Sequence, residues 1–573
     1  MTKISDKRGV QVFVNRLKQH EITHVVISPG SRNAPLTISF SEDAYFTCFS
    51  IPDERSAAFY ALGMAEMLKK PVVLLCTSGS AVLNYYPAVS ESFYRSIPLI
   101  VVSADRPLEM IDQGDGQTIR QEGVLHNHIL AETTLSEDFS DKDAEKSGIK
   151  EIDSLVHAAN FLNGGGPVHF NFPLEEPLYN TVEQTEVLAQ LDSFAGNDLS
   201  KLDEIDFEDL KDEWNTFPRK LIICGQMPPN NLFWNKLNDL ANDSSVAVLI
   251  ENTSNGNGRK LIQCIDRTLN SISEKRLTEF VPDLLISFGG AVISKRIKAF
   301  LRKNPPKAHW RINQSFPEMN TYGVLSHSFQ VSPSAFLSRF LEQPLKFKLS
   351  RFGEQWKQLD YLIQDKHFEA IRKLSYSDMQ VFDLIMDTLP ENAILHMANS
   401  SVVRYCQLFD PVPSIEYYSN RGTSGIDGST STAIGSAIIR KEKRNILITG
   451  DISFFYDSNA LWNNYLPKNL RIVLINNEGG GIFKIIPGPS KSDALENFFV
   501  AKHGFSAEYL CKAFNVKYMK ATSFVELEDQ LSDFYYPEEE QMILMEVFTP
   551  SDINAGELKK YFELIRVEDY PKL

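Results

Sequence analysis

Cysteine is scarce in this chain of 573 residues. The six present (Cys48, Cys76, Cys224, Cys264, Cys406 and Cys511) form no C-x-x-C pair, and most sit in apolar runs such as Val72–Cys76 and Leu221–Cys224. A disulfide framework or a Cys-rich zinc site is therefore not expected, and reduced thiols in the cytoplasm are. No apolar run approaches the roughly 18 residues that span a bilayer. The N-terminal stretch MTKISDKRGVQVFVNRLKQHE lacks a signal-peptide core, so no membrane insertion is expected. Positive charge is also in deficit, with 58 Lys and Arg against 74 Asp and Glu and a net charge of -16. Phosphate neutralisation demands the opposite balance, which argues against a nucleic-acid partner. The chain has neither a G-x-x-x-x-G-K-[ST] phosphate loop nor a G-x-S-x-G nucleophile elbow. Gly256-Asn257-Gly258 follows a strand-like run but carries Leu261 where a dinucleotide fingerprint needs its third glycine. His126 and His128 have no spaced partner that would complete a metal site, and read as loop residues.

What is present is ordinary globular material, 43% hydrophobic and 23% charged, enough for about three or four domains. Val10, Phe13, Val14 and Leu17 make a helical stripe. Strand-like runs follow at His24–Ser28, Tyr45–Ser50, Pro71–Cys76 and Pro98–Ser103, with helical segments between them. The polar stretch Asn180–Asp212 reads as a linker. A second series of strands is expected at Lys220–Cys224, Val246–Ile250, Asp283–Phe288 and Trp310–Asn313. After a charged helical stretch from Leu349 to Leu374, a third series falls at Ala393–Met397, Ile415–Ser419, Asn445–Thr449, Arg471–Asn476 and Gln541–Val547. Short buried strands alternating with helices predict α/β units with doubly wound parallel sheets. Three are expected, over residues 1–180, 181–350 and 351–573.

The densest chemical signal lies in the third unit. One apolar strand ends in Gly450-Asp451; the next ends in Asn476-Asn477-Glu478 and three glycines, and Asp451 and Asn477 are 26 residues apart. Ligands of open parallel sheets bind beyond the carboxyl ends of the strands. A carboxylate and an amide oxygen placed there suit Mg²⁺ beside diphosphate oxygens, and the glycines allow close backbone approach. Either dipeptide alone is ordinary turn chemistry; the pair at successive strand ends favours the metal–diphosphate reading.

The arrangement resembles the diphosphate motif of thiamine-diphosphate enzymes, with Ile452 where that motif commonly has a third glycine. The resemblance implies that Asp451, Asn477 and the Gly479 carbonyl hold Mg²⁺ or Mn²⁺, with Ile452 and Ser453 beside the diphosphate. It further implies a glutamate that hydrogen-bonds the cofactor's aminopyrimidine and promotes the imino tautomer that deprotonates the thiazolium. Glu54, in Pro52-Asp-Glu-Arg-Ser-Ala-Ala58, is the candidate, although by itself it reads as a helix-start carboxylate.

More specific motifs resemble one branch of these enzymes. They are Ser28-Pro-Gly-Ser-Arg-Asn-Ala-Pro-Leu36, Thr77-Ser-Gly-Ser-Ala81, Ala104-Asp-Arg-Pro107, Gly116-Gln-Thr-Ile-Arg-Gln121, Ser294-Lys-Arg296, Asn399-Ser-Ser-Val-Val-Arg404 and Ser419-Asn-Arg-Gly-Thr-Ser-Gly-Ile-Asp-Gly428. Together they are similar to the 2-succinyl-5-enolpyruvyl-6-hydroxy-3-cyclohexene-1-carboxylate synthase family of menaquinone biosynthesis. That resemblance implies a transferase that decarboxylates 2-oxoglutarate and adds the succinyl carbanion to isochorismate. It places Ser400, Arg404 and Arg421 at the 2-oxoglutarate-derived group, Arg32, Arg106, Gln117, Lys295 and Arg296 at isochorismate, and Ser31 among the substrate-binding residues. Guanidinium forks suit substrates that each carry two carboxylates. Ser424 and Ile426 would lie against the cofactor, with Ile426 bending it, and Ile482 and Phe483 would form an apolar wall. The cofactor of such enzymes lies between two subunits, which implies at least a homodimer, with a homotetramer as the alternative. Two rival readings stay open: an acetolactate-synthase-like carboligase or decarboxylase, and a non-catalytic binding protein on the same fold.

Overall fold

The apolar runs become strands because they are buried on both faces: every residue of Val72–Cys76, Leu99–Asp105, Lys220–Cys224, Val246–Ile250 and Leu284–Phe288 is buried. A parallel sheet covered by helices on each side requires that. The computed structural model describes residues 3–160, 164–183, 198–345, 350–486 and 488–567. They divide into two compact units, one of Met1–Gly196, Gly422–Asn445 and Phe455–Leu470, the other of Asn197–Arg421, Ile446–Phe454 and Arg471–Leu573.

The first unit is built on a six-stranded parallel sheet. Its spatial order is Thr47–Ser50, His24–Ile27, Val72–Cys76, Leu99–Asp105, Pro167–Pro173 and Glu132–Thr134. Numbered by sequence within the sheet, this is 2-1-3-4-6-5. The apolar stripe of helix Arg8–Gln19 is buried, with Val10, Phe13, Val14 and Leu17 at 0% exposure. Helix Glu54–Leu68 is buried almost all round, because helix Ser429–Ile439 lies directly against it. A Cβ at Gly63 would sit 2.1 Å from the Thr432 carbonyl, and one at Gly435 would sit 2.1 Å from the Tyr60 carbonyl. Glycine at both positions is what lets the two backbones meet.

The second unit holds two sheets. The five-stranded one is parallel, in the order Val246–Ile250, Lys220–Cys224, Leu284–Phe288, Ala308–Ile312, Leu325–Phe329. The six-stranded one runs Glu416–Tyr418, Ile394–Met397, Asn445–Gly450, Leu470–Asn476, Ile543–Phe548, Lys517–Ala521. It repeats the 2-1-3-4-6-5 order of the N-terminal sheet. In both six-stranded sheets the order reverses between strands 1 and 3, where a crevice opens at the strand ends. Ser28–Arg32 and Thr77–Ala81 follow those strands in the first sheet; Ala398–Ser400 and Asp451 follow them in the third.

The stretch expected as a linker is more structured than its composition suggests. Thr181–Glu183 pairs antiparallel with Lys3–Ser5, and helices form at Asp198–Asp203 and Phe207–Thr216. Phe207, Leu210 and Trp214 belong to the core of the five-stranded sheet; residues 184–197 lie outside the described part. The charged helical stretch is the helix Phe352–Ile371, and Leu349 also lies outside. No helix among the described residues is long and apolar enough to cross a membrane.

Candidate functional site

In the second unit, strand Asn445–Gly450 hands directly over to helix Asp451–Tyr456. Asp451 is 2% exposed and Asn477 6%. Asp451 Oδ1 accepts the Ile452 N–H at 2.7 Å, and Oδ2 accepts the Gly479 N–H at 2.8 Å. The Asn477 Nδ2 donates to Asp378 Oδ2 at 2.9 Å, which turns the amide oxygen away from Asp378. The turn that follows Asn477 is strained: Glu478 has φ 63° and Gly479 φ 143°. A Cβ at Gly479 would lie 2.5 Å from the Val500 carbonyl oxygen, so only glycine fits there. The Gly480 N–H anchors the turn on that same oxygen at 2.7 Å. The Gly479 carbonyl accepts the Gly481 N–H at 2.9 Å. His503 Nε2 stands 3.4 Å from Asp451 Oδ2, and the proximity of that carboxylate raises the histidine's pKa.

This donor set fits a hard divalent cation beside a diphosphate. It offers one carboxylate and one amide oxygen, and the described residues contain no cluster of three or more His, Cys, Asp or Glu able to hold a metal by themselves. A cation here would complete its shell from phosphate oxygens and water, as Mg²⁺ commonly does. Ser453 is buried and Ile452 half-buried at the start of the same helix.

The basic residues of this unit gather around two carboxylates, buried Glu251 and half-buried Asp266. Ser400 has φ 75° and ψ −125°, strained for a residue with a side chain, and it opens helix Ser401–Cys406, which carries Arg404. Arg421 donates to Asn399 Oδ1 at 2.6 Å. The Nε of Arg404 is buried without a hydrogen-bond partner; burial lowers the Arg404 pKa, while Asp266 and Glu251 oppose the shift. Arg296 is lowered in the same way, again opposed by Asp266, and its guanidinium lies 4.9 Å from the Phe562 ring centre. Lys295 and Arg296 are the exposed first residues of helix Lys295–Lys303, capped by Ser294. Fully buried Glu251 accepts the N–H groups of Ile293 and Ser294, each at 2.7 Å, and burial pushes its pKa up to about 7, with Arg421 opposing. Lys298, which the sequence did not single out, feels Glu251, Arg421 and Arg404. The structure thus brings Arg296, Lys298, Arg404 and Arg421 into one electrostatic neighbourhood. Ile482 and Phe483 are half-buried on the short helix Ile482–Ile485, with the Phe483 ring 5.7 Å from that of Phe499.

In the first unit, Glu54 is the first residue of helix Glu54–Leu68, and its neighbour Asp53 caps the helix by accepting the Ser56 N–H. Both flanks are pinned to segment 455–470: Asp53 accepts from Asn459 at 2.7 Å, and Arg55 donates to the Tyr456 carbonyl at 2.5 Å. Burial raises the Glu54 pKa and the Asp53 charge adds to the effect, which favours a carboxyl able to hold a proton. Arg32 donates to the Leu174 carbonyl at 2.8 Å; its pKa falls through burial and then through the nearby charge of Arg106. Arg106 itself reaches the Gly116 carbonyl at 3.2 Å. Gln117, at φ 56°, has its backbone packed against Gly79, and Ser31 is exposed beside Arg32.

The loop carrying Ser424 and Ile426 also belongs to this unit. Ser424 is held at φ 63°, and Ile426 is half-buried. The loop is fixed at its start by Glu91, a residue the sequence did not reveal, which accepts Gly422 N–H at 2.8 Å, Thr423 N–H at 2.6 Å and Thr423 Oγ1 at 2.9 Å. A Cβ at Gly428 would strike the Phe59 ring at 2.0 Å, so the far end of the loop is pressed onto the helix that begins at Glu54.

Two family models match the chain: the thiamine pyrophosphate enzyme N-terminal TPP-binding domain over residues 7–125, and the middle domain of thiamine pyrophosphate enzymes over residues 196–397. Among curated relatives, a 2-succinyl-5-enolpyruvyl-6-hydroxy-3-cyclohexene-1-carboxylate synthase of Flavobacterium psychrophilum is 45% identical over 540 residues, 94% of this chain and 96% of that protein. A protein of the same name from Christiangramia forsetii is 44% identical, covering 95% and 96% of the two chains. The Porphyromonas gingivalis protein of that name is 38% identical, with 99% of each covered. Identity of this order over the whole length, on a fold with paired sheets of one strand order, places the chain in the 2-succinyl-5-enolpyruvyl-6-hydroxy-3-cyclohexene-1-carboxylate synthase family of thiamine-diphosphate enzymes.

Proposed function

We propose that this protein decarboxylates 2-oxoglutarate and joins the remaining succinyl unit to isochorismate, releasing CO₂ and the cyclohexene carboxylate for which its relatives are named. The observation that carries the reading is the placement of Asp451 and Asn477 at the ends of successive strands, in a chain matched by such a relative over 94% of its length. Thiamine diphosphate, when bound, would supply the electron sink that takes up the electron pair left by CO₂ and returns it to form the new carbon–carbon bond. Asp451, Asn477 and the Gly479 carbonyl would hold Mg²⁺ or Mn²⁺ against its diphosphate. Ser424, Ile426, Ile452 and Ser453 would line it.

The remaining roles belong to the chain's own side chains. Glu54 is the catalytic residue, its carboxyl holding a proton at the aminopyrimidine ring; its raised pKa supports that role. Arg404 and Arg421, with Ser400, pair with the carboxylates of 2-oxoglutarate. Ser31, Arg32, Arg106, Gln117, Lys295 and Arg296 face isochorismate. Ile482 and Phe483 exclude water from the reacting carbons. Orientation by the arginine forks lowers the entropic cost of bringing two dianions together. The protein works in the cytoplasm as at least a homodimer, with domains over residues 1–180, 181–350 and 351–573.

The division of arginines is tested by steady-state kinetics with each substrate varied in turn. Arg404→Ala is expected to raise the KM for 2-oxoglutarate and leave that for isochorismate within about threefold, and Arg106→Ala to do the reverse. Equal effects on both constants in both variants would refute the assignment.

A further inference from the structure

Asn477 is useful to a cation only through its oxygen, yet an amide presents an oxygen or an NH₂ group depending on which way it is turned. The structure shows what decides the matter. Asn477 Nδ2 donates to Asp378 Oδ2 at 2.9 Å, and an ionised carboxylate can only accept, so the NH₂ must face Asp378. Asp378 is itself held from three sides: its Oδ1 accepts from Thr549 Oγ1 at 2.5 Å and from Asn554 Nδ2 at 3.0 Å, and its own N–H donates to Asn554 Oδ1 at 2.9 Å. The carboxylate is 3% exposed at the start of helix Asp378–Asp387, where the helix dipole favours negative charge. Thr549 closes the arrangement, because its N–H donates to the carbonyl of Asn476, the residue before Asn477. A buried carboxylate with three donors, one of them the amide of a candidate ligand, is the outer support that metal ligands characteristically require.

We infer that Asp378 is a positioning residue of the metal–diphosphate site, fixing the Asn477 amide so that its oxygen faces the cation. The inference rests on the reading of Asp451 and Asn477 as metal ligands. Asp378→Asn keeps the size of the side chain but offers an amide that accepts or donates. The Asn477 amide is then free to turn its NH₂ toward the cation, at a cost typical of lost outer support, about 10- to 100-fold in metal affinity.

The test measures Mn²⁺ affinity of the full-length protein by electron paramagnetic resonance of free Mn²⁺ in saturating thiamine diphosphate, with circular dichroism to confirm folding. Asn477→Ala controls for the underlying reading. Asp378→Asn is expected to weaken Mn²⁺ binding at least tenfold, Asp378→Glu, which remains acceptor-only, to restore most of it, and Thr549→Val, which strips one support, to fall between wild type and Asp378→Asn. If Asn477→Ala weakens binding while folded Asp378→Asn stays within about threefold of wild type, the role of Asp378 is overturned and the metal site stands. If Asp378→Asn does not fold, wild-type affinity in Thr549→Val overturns it instead. If Asn477→Ala itself binds Mn²⁺ like wild type, the metal reading fails and the inference with it.

Discussion

Glu91 offers a sharp test of how the loop carrying Ser424 and Ile426 is held. Its side chain is 1% exposed, and its two oxygens accept separate backbone donors, Oε1 from Gly422 and Oε2 from Thr423. Glu91→Gln keeps the shape but can present only one oxygen; the other position becomes an NH₂ facing a backbone N–H. One hydrogen bond to a charged group is lost, about 1.5–3 kcal/mol, and a buried donor is left unmatched. Taken together, roughly 2–3 kcal/mol of local stability should go, and since 1.4 kcal/mol is tenfold, loop opening should become roughly 30- to 150-fold more frequent. Hydrogen exchange read by mass spectrometry on peptides spanning residues 420–428 reports that opening. The expected result is faster exchange there, with little change in peptides of the five-stranded sheet, and weaker binding of thiamine diphosphate. Exchange at 422–423 within about threefold of wild type would show that Glu91 does not hold the loop.

Further outcomes can be checked alongside. Glu54→Gln is expected to bring turnover close to zero while the far-ultraviolet dichroism is unchanged; wild-type turnover would remove Glu54 from the mechanism. Gly63→Val places a side chain where even a Cβ would be 2.1 Å from the Thr432 carbonyl, so a loss of about 1–3 kcal/mol is expected from overpacking, seen as a lower Tm; an unchanged Tm would contradict the helix contact. The pKa of Glu251 is raised from 4.5 to about 7, so the folded state binds more protons than the unfolded one between those values, and stability falls as pH rises through that window. Melting curves should therefore show wild type losing stability relative to Glu251→Gln from pH 4.5 to 7 and running parallel to it above; parallel curves throughout would refute the shift.

The parts of the fold that could be read from the amino-acid order are those in which burial writes a continuous apolar run. Lys220–Cys224 and Val246–Ile250 coincide with the observed strands. Three strands at sheet edges are different: Glu132–Thr134, Leu325–Phe329 and Lys517–Ala521 are partly exposed, so no apolar run marks them. Pro167–Pro173 is an interior, buried strand, but its polar His169 Nε2 and Asn171 side chain hydrogen-bond to Ser103 and Asp105 on the neighbouring strand, and that pairing is invisible along the chain. Site residues divide in the same way. Asp451 and Asn477 announce themselves because each ends an apolar strand. Asp378, Glu91 and Glu251 are single carboxylates whose partners lie 99, 331 and 42 residues away, so no local pattern distinguishes them from solvated acids.

The central claim is the coupled reaction, and one measurement addresses it. Purified protein with Mg²⁺, carboxyl-labelled 2-oxoglutarate and isochorismate is followed for CO₂ release, isochorismate loss and product mass, with and without thiamine diphosphate. The expected result is cofactor-dependent release of one CO₂ for each isochorismate consumed, with a product that retains the succinyl unit. Release of CO₂ while isochorismate persists, or no change in either substrate although the cofactor binds, would contradict the account.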